Sequence, residues 1–293
     1  MDGQQLGESG GGREFQRVAD KLRGRMAGGT YPLRSFLPSQ RDLAEELGVS
    51  RDTVQRALRE LANEGWIEPR QGSGSRVIKT QRIQSPAAKA TRLRREVTLA
   101  PFISEAFEQP DVTLDVYTLT SESLDAHIRL QAERVRGGFI SPRRITLRML
   151  LPDTTLEPPY PRVKDDRNDP RLRQRLRTMT EWYTASLQGA LRDLQTEGLV
   201  PSVDVRIRHA PLIPAFKLYL FNAVEVLHGM YEVVERPVEL ESGEMIMALD
   251  VQGLGATLTH HAKDEDPTSP GTVFVDSMRQ WFDSVWELLS TDA

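Results

Sequence analysis

The sequence predicts an α+β winged helix-turn-helix domain at the N-terminus, followed by a larger α/β domain. Three observations carry this reading. Residues 13–95 hold 18 Lys+Arg against nine Asp+Glu while residues 96–293 hold 20 against 31, so the net charge of −4 conceals a basic head and an acidic body. Between residues 39 and 65 two short helical patterns flank a Gly-Val turn, which is the sequence form of a helix-turn-helix. Beyond residue 110 strand-like and helical runs alternate, as in an α/β sheet domain. A length of 293 residues suits two domains with separate cores.

Residues 1–12 are polar and end in Gly10-Gly11-Gly12, so a disordered tail is expected there. The first domain is placed at 13–79. Phe15, Val18, Ala19, Leu22 and Met26 recur at helical spacing until Gly28-Gly29 ends the pattern. Pro38 and Ser39 announce a second helix, capped by the Ser39 hydroxyl and carrying Leu43, Ala44 and Leu47 on its buried stripe. Gly48-Val49 turns the chain, Ser50 caps a third helix with Val54, Ala57, Leu58 and Leu61 inward, and Gly65 stands at its end. Two β-prone runs, Trp66-Ile67-Glu68 and Arg76-Val77-Ile78, enclose Gln71-Gly72-Ser73-Gly74 and read as a hairpin wing.

Residues 80–96 contain Pro86 and the cluster Arg92, Arg94, Arg95 without sustained periodicity, and are read as a linker. In the second domain, 97–293, strands are expected at Leu114–Leu119, Ile145–Leu151, Val203–Ile207, Phe216–Phe221, Val226–Val234 and Met245–Val251. Helices are expected around Leu124–Val135, from Leu172 to Leu194 and from Phe274 to Leu289. The sheet is expected to be parallel at first, with an antiparallel extension.

Composition narrows the function classes. With no cysteine there is neither a disulfide framework nor a cysteine-ligated metal site, and no cofactor is expected. No apolar run approaches the roughly 20 residues that span a bilayer, so a soluble, cytoplasmic protein with no membrane partner is expected. A basic head has the electrostatic footprint of a phosphate-backbone binder, while an acidic body is held off DNA.

The blocks Leu37-Pro38-Ser39-Gln40-Arg41-Asp42-Leu43-Ala44, Gly48-Val49-Ser50-Arg51-Asp52-Thr53-Val54, Gly65-Trp66-Ile67 and Gln71-Gly72-Ser73-Gly74 resemble the DNA-binding domain of the GntR family of bacterial transcriptional regulators. The resemblance covers about residues 13–79 and implies DNA contacts at Arg41, Arg51, Thr53 and Gly72. Physical reasoning points to the same helix. The first residues of the second helix of the motif, Arg51, Thr53 and Gln55, are directed into the major groove, where Arg and Gln read guanine and adenine edges. Asp52 and Gln55 depart from the commonest family pattern, which has a hydroxyl residue and an arginine there. The operator sequence is therefore open.

The second domain carries fewer signals. At least five strand-like runs argue against the all-helical, metal-binding type of family sensor domain, and an aminotransferase-like partner needs a longer chain. A sugar-sensing type related to chorismate lyase remains an alternative. Ala215-Phe216-Lys217 and Asn222 weakly resemble the His, Lys and Asp positions of a phospholipase D-like domain. Alanine in place of the histidine nucleophile implies a degenerate, non-catalytic version, in which Lys217 and Asn222 are ligand-binding candidates. His260-His261 is read as part of a solvated loop and not as a metal site, and no nucleophile–base pair is visible around His209 or His228.

These readings converge on a non-enzymatic, sequence-specific regulator. Its expected partners are a double-stranded DNA operator, a second copy of the chain and a small-molecule effector bound by the sensor and dimerisation domain. The alternatives are a phosphodiesterase-like enzyme and a protein-interaction adaptor.

Overall fold

The computed structural model describes residues 8–27, 29–63, 66–70, 74–78, 83–84, 99–240, 242–251 and 257–292. The chain divides into two compact units, Met1–Thr80 and Gln81–Ala293.

The first unit contains α1 (Glu8–Ala27), α2 (Gln40–Leu47), α3 (Arg51–Asn63) and the antiparallel pair β1 (Ile67–Arg70) and β2 (Gly74–Val77). Its core joins Val18, Leu22 and Met26 of α1, Leu43 of α2, Val54, Ala57, Leu58 and Leu61 of α3, and Trp66, Ile67 and Val77 of the wing. The start of α1 corrects the expected tail, because the helix runs from Glu8 through Gly10–Gly12. Each glycine costs only about 1 kcal/mol against alanine. Extending a helix that is already packed is far easier than nucleating one. Residues 1–7 lie outside the described residues, as do Gly28, Gly65 and most of the expected linker, including Arg92, Arg94 and Arg95.

The second unit opens with β3 (Ile83–Gln84), within the stretch read as linker, and α4 (Leu99–Phe107), which periodicity did not disclose. There follow β4 (Asp111–Tyr117), α5 (Glu122–Arg136), β5 (Arg144–Pro152), β6 (Arg162–Val163), α6 (Arg171–Thr196), β7 (Ser202–Ala210), β8 (Phe216–Phe221) and β9 (Glu225–Met230). The chain ends with β10 (Val233–Glu239), β11 (Met245–Val251), β12 (Leu258–Ala262), α7 (Pro270–Leu288) and β13 (Thr291–Asp292).

Eight strands form one sheet in the order β13-β7-β5-β4-β8-β9-β12-β3. β4, β5 and β7 are parallel neighbours, and β8, β9 and β12 extend the sheet antiparallel from β4, as the alternation predicted. One face buries Val112, Leu114, Val116, Ile145, Leu147, Tyr219 and Phe221 beneath α4, α5 and α6. The other packs Tyr117, Leu150, Leu218 and Leu220 against Phe282, Val285 and Trp286 of α7. Period-2 alternation along each strand sends successive side chains to these two layers. Arg148 of β5 secures α7 from beneath, donating to both oxygens of Asp115 at 2.7 Å and to Asp283 at 2.8 Å. Its guanidinium also lies 5.1 Å from the ring centre of Phe282.

Two further expectations need correction. The run Val226–Val234 is not one strand: it breaks after Met230, and β10 leaves the main sheet to pair with β11 in a separate three-stranded sheet, β10-β11-β6. His260 and His261 stand in β12 and not in a solvated loop. His260 is buried, with its ring 4.7 Å from Phe102, and His261 stacks on Phe274 at 4.0 Å. Adjacent strand residues point to opposite faces. Among the described residues no group of His, Asp and Glu is arranged to hold a metal ion, and no helix is long and apolar enough to cross a membrane.

Candidate nucleic-acid interface

The geometry of the interface starts at two helix caps. Ser39, extended at φ −60° and ψ 156°, accepts from Asp42 N at 3.2 Å and starts α2. At the other end Gly48 adopts φ 66°, a left-handed conformation that costs glycine nothing, and its N–H closes the helix onto Ala44 and Glu45. Two residues later Ser50 Oγ accepts from Thr53 N at 3.1 Å and starts α3. The turn between the helices therefore has both ends fixed by hydrogen bonds. Arg25 of α1 bonds Glu46 of α2 and also donates to the Tyr31 hydroxyl at 3.0 Å. Its pKa is raised above the ordinary arginine value, chiefly by the Glu46 bond.

α3 buries Val54, Ala57, Leu58 and Leu61 and leaves Arg51, Asp52, Gln55, Arg56 and Arg59 exposed. Arg51, Gln55 and Arg59 are spaced at i, i+4 and i+8, so they line one face of the helix. Arg41, at the start of α2, is 74% exposed and 3.9 Å from Asp42, too loose a pairing to hold it. Arg56 lies over the Phe15 ring at 4.6 Å, which commits it to α1.

Thr53 is placed differently from the expectation that it reads a base. It is 8% exposed, and its hydroxyl meets Ser50 Oγ at 2.8 Å and Glu14 of α1 at 3.5 Å. Its role in this geometry is to fix the N-terminus of α3. Arg59 is the residue that reading the motif missed, although its spacing from Arg51 and Gln55 was visible in the sequence.

The wing pairs Ile67 with Val77 and Arg70 with Gly74. Gly72 and its neighbours Gln71 and Ser73 lie outside the described residues. The segment before α2 runs along β2, with Leu37 N donating to Ser75 O at 2.8 Å and Arg34 N to Val77 O at 2.8 Å. Hairpin and helix-turn-helix are thereby joined by backbone bonds.

In the second unit the structure separates the two ligand candidates. Lys217 is near the start of β8, and Asn222 lies just beyond its end, about 17 Å away at roughly 3.4 Å per residue. Asn222 adopts φ 50° in the turn to β9, and its Oδ1 accepts from Thr113 N at 2.8 Å. That is a turn-forming role, reached through the tolerance of asparagine for left-handed backbone. Lys217 is 4% exposed, with Nζ 5.5 Å from the centre of the Tyr231 ring. Ser123 and His127 of α5, which the sequence reading passed over, are also buried.

Three helices, a left-handed turn between the second and third, and a hairpin bonded to the segment before them define a winged helix-turn-helix DNA-binding domain. Residues 15–77 match the family described as "Bacterial regulatory proteins, gntR family", and this N-terminal domain belongs to it. An uncharacterised HTH-type transcriptional regulator of Rhizobium meliloti is 35% identical over 78 residues, 27% of this chain and 32% of that protein. The Exu regulon transcriptional regulator of Escherichia coli is 38% identical over 76 residues, 26% of this chain and 30% of that protein. Among solved structures, a GntR family transcriptional regulator from Listeria monocytogenes is similar at 26% identity, over 27% of this chain and 62% of its own, with a TM-score of 0.22. The matches span about a third of the length of these two curated relatives.

Proposed function

We propose that this chain is a transcriptional regulator that binds operator DNA as a homodimer through residues 13–79 and responds to a small molecule held by residues 97–293. One observation carries the DNA-binding part. The exposed stripe Arg51, Gln55, Arg59 stands on a helix whose N-terminus and opposite face are both fixed by the rest of its unit. Arg51 and Gln55 read base edges, Arg59 and Arg41 reach phosphates, and Gly72 lets the wing approach the backbone. Thr53 supports them from behind.

A dimer follows from the size of the interface, since one recognition helix reads only a half-site. The second unit, with its net acidic charge, is assigned dimerisation and sensing. No catalytic role is assigned to it, because Ala215 occupies the position where the phospholipase D resemblance requires a histidine nucleophile.

Selection of bound sequences from random DNA, followed by footprinting with the full chain, tests this reading. A pseudo-palindrome is expected, with half-sites about 10 bp apart or a multiple of that. Binding without sequence preference would overturn it.

A further inference from the structure

We infer that the free edge of β7 is the surface on which two copies of the second unit join. The partner is a second copy of this chain, whose β7 runs antiparallel to the first about a two-fold axis at Val205. The inference rests on the homodimer reading above and names the surface that makes the dimer.

The edge is open because the strand beside it is short. β7 pairs with β5 along all nine of its residues, Ser202–Ala210. On its other side β13 meets it only at Arg208 and His209. Ser202 to Ile207 have no strand beside them on that side among the described residues. The pleat shows which backbone groups are left over. Ser202 N donates to Arg143 O at 3.2 Å and Ala210 O accepts from Asp153 N at 2.8 Å, both on the β5 side. Alternate residues turn their backbone groups to opposite sides, so Val203, Val205 and Ile207 aim N–H and C=O away from β5, into the free edge. Such a row is a template for another strand.

The side chains choose the occupant. In an antiparallel pair centred on Val205, Asp204 stands opposite Arg206 of the second copy, and Arg206 opposite Asp204 of the second copy. Opposite charges in directly opposed positions favour pairing, and like charges disfavour it. Within one chain the two side chains already meet, Arg206 Nη2 donating to Asp204 at 2.6 Å, yet they remain 61% and 42% exposed. Two such pairs across the axis close a ring of alternating charge. On the opposite face Val205 meets its own copy and Val203 meets Ile207. Val203 and Val205 are half-buried against the layer beneath α4, α5 and α6, which the pairing extends. Moving the axis by one residue either way opposes Asp204 to Asp204 or Arg206 to Arg206, so charge selects the register.

The other edges of the second unit are guarded or short. β10, at one edge of the three-stranded sheet, carries Pro237 between Glu235 and Glu239. Pairing with its own copy about Pro237 would oppose those glutamates and meet a residue that has no N–H to give. β3, β6 and β13 offer two residues each. The free stretch of β7 has no proline, and its two charges are of opposite sign. Apolar side chains flank it: Leu199 is exposed in the turn into β7, and Leu288 and Leu289 are exposed between α7 and β13. A strand that pairs with its own copy closes at two, because the two-fold axis uses the same edge on both sides.

The test uses the full chain and reads its oligomeric state by sedimentation equilibrium over a range of concentrations. The wild-type chain should be a dimer. Asp204→Arg and Arg206→Asp each set like charges opposite one another across the axis, and each should weaken self-association about tenfold or more. Both side chains reach solvent, so circular dichroism and the melting temperature should stay close to those of the wild type. An equimolar mixture of the two variants should restore the dimer as a heterodimer, because arginines of one chain then oppose aspartates of the other. Pairing within one chain cannot produce this recovery, since both variants have lost it. Wild-type self-association in each variant, or no recovery on mixing, overturns the inference and leaves the homodimer reading to another surface. A wild-type chain that stays monomeric overturns both. If association follows the charge rule while selective DNA binding is absent, the interface stands and the regulator reading falls.

Discussion

Arg51 on α3 and Lys217 on β8 are both cations near the start of a regular element, yet their surroundings are opposite. Arg51 is exposed on a helix whose other face is buried, so its partner must come from solvent and can be as large as a DNA groove. Lys217 is buried in the sheet with a tyrosine ring beside its Nζ, so its partners are groups of the protein's own interior. The first unit thus presents chemistry on a rigid surface, and the second encloses it. Affinity for a polymer and response to a metabolite ask for these two arrangements respectively.

Separating the two units should have the largest effect. If the second unit supplies the dimer, residues 1–80 alone should bind a full operator about 100-fold to 10,000-fold more weakly than the full chain, because linked half-site binding is lost. Titration of a labelled operator, with sedimentation to give the oligomeric state, measures this. Undiminished affinity from the fragment would place dimerisation in the first unit.

A second effect should belong to the enclosed chemistry alone. His127 has its folded pKa lowered by burial to about 4, while the unfolded chain protonates near the ordinary value of about 6.5. Between those values the unfolded state binds the extra proton, so stability is fully present above about pH 6.5 and declines as pH falls toward 4, by up to ~3 kcal/mol. Burial shifts His228 and His261 in the same direction. Urea melts at pH 7 and pH 5 should show the loss, and His127→Gln should flatten the slope. An unchanged slope in that variant would mean that His127 is not the buried neutral group described here.

The two units also differed in how readily the sequence disclosed them. The first domain is built from local signals: Ser39, Gly48 and Ser50 cap or turn within a few residues of where they stand. Even there, the contact of Thr53 with Glu14, 39 positions away, gave no local signal. In the second domain the strands that alternate cleanly were found. α4 was missed because a nine-residue helix offers barely two turns of periodicity beside an aperiodic linker. β12 was missed because its histidines look polar in the sequence, whereas His260 is buried beside Phe102 and His261 is half-buried on Phe274. Lys217 was noticed through a spacing that the fold does not use, since Asn222 closes a turn at the far end of the strand. Ser123 and His127 give no local signal, because their burial is set by packing across elements.

Smaller effects should sharpen the reading of the exposed surface. Arg51→Ala should reduce the preference for operator over random DNA by about 1–3 kcal/mol, as expected for loss of a bidentate guanine contact. Weak binding to random DNA should persist. An equal loss on both DNAs, in competition assays at matched salt, would make Arg51 a phosphate contact.

Arg59 should give the smallest change and the complementary signature. It stands two helical turns beyond Arg51 on the same exposed face, and in the proposed docking the DNA backbone rises past the helix at that distance from its N-terminus. A phosphate contact releases about one counterion, so Arg59→Ala should weaken operator and random DNA alike. The slope of log affinity against log salt should fall by about 1 per half-site. Titrations over a range of salt concentrations distinguish this from a base contact, which changes preference and leaves the slope nearly intact. If Arg59→Ala relaxes specificity at one operator position instead, the recognition helix lies deeper in the groove, and the base-reading stripe extends from Arg51 through Gln55 to Arg59.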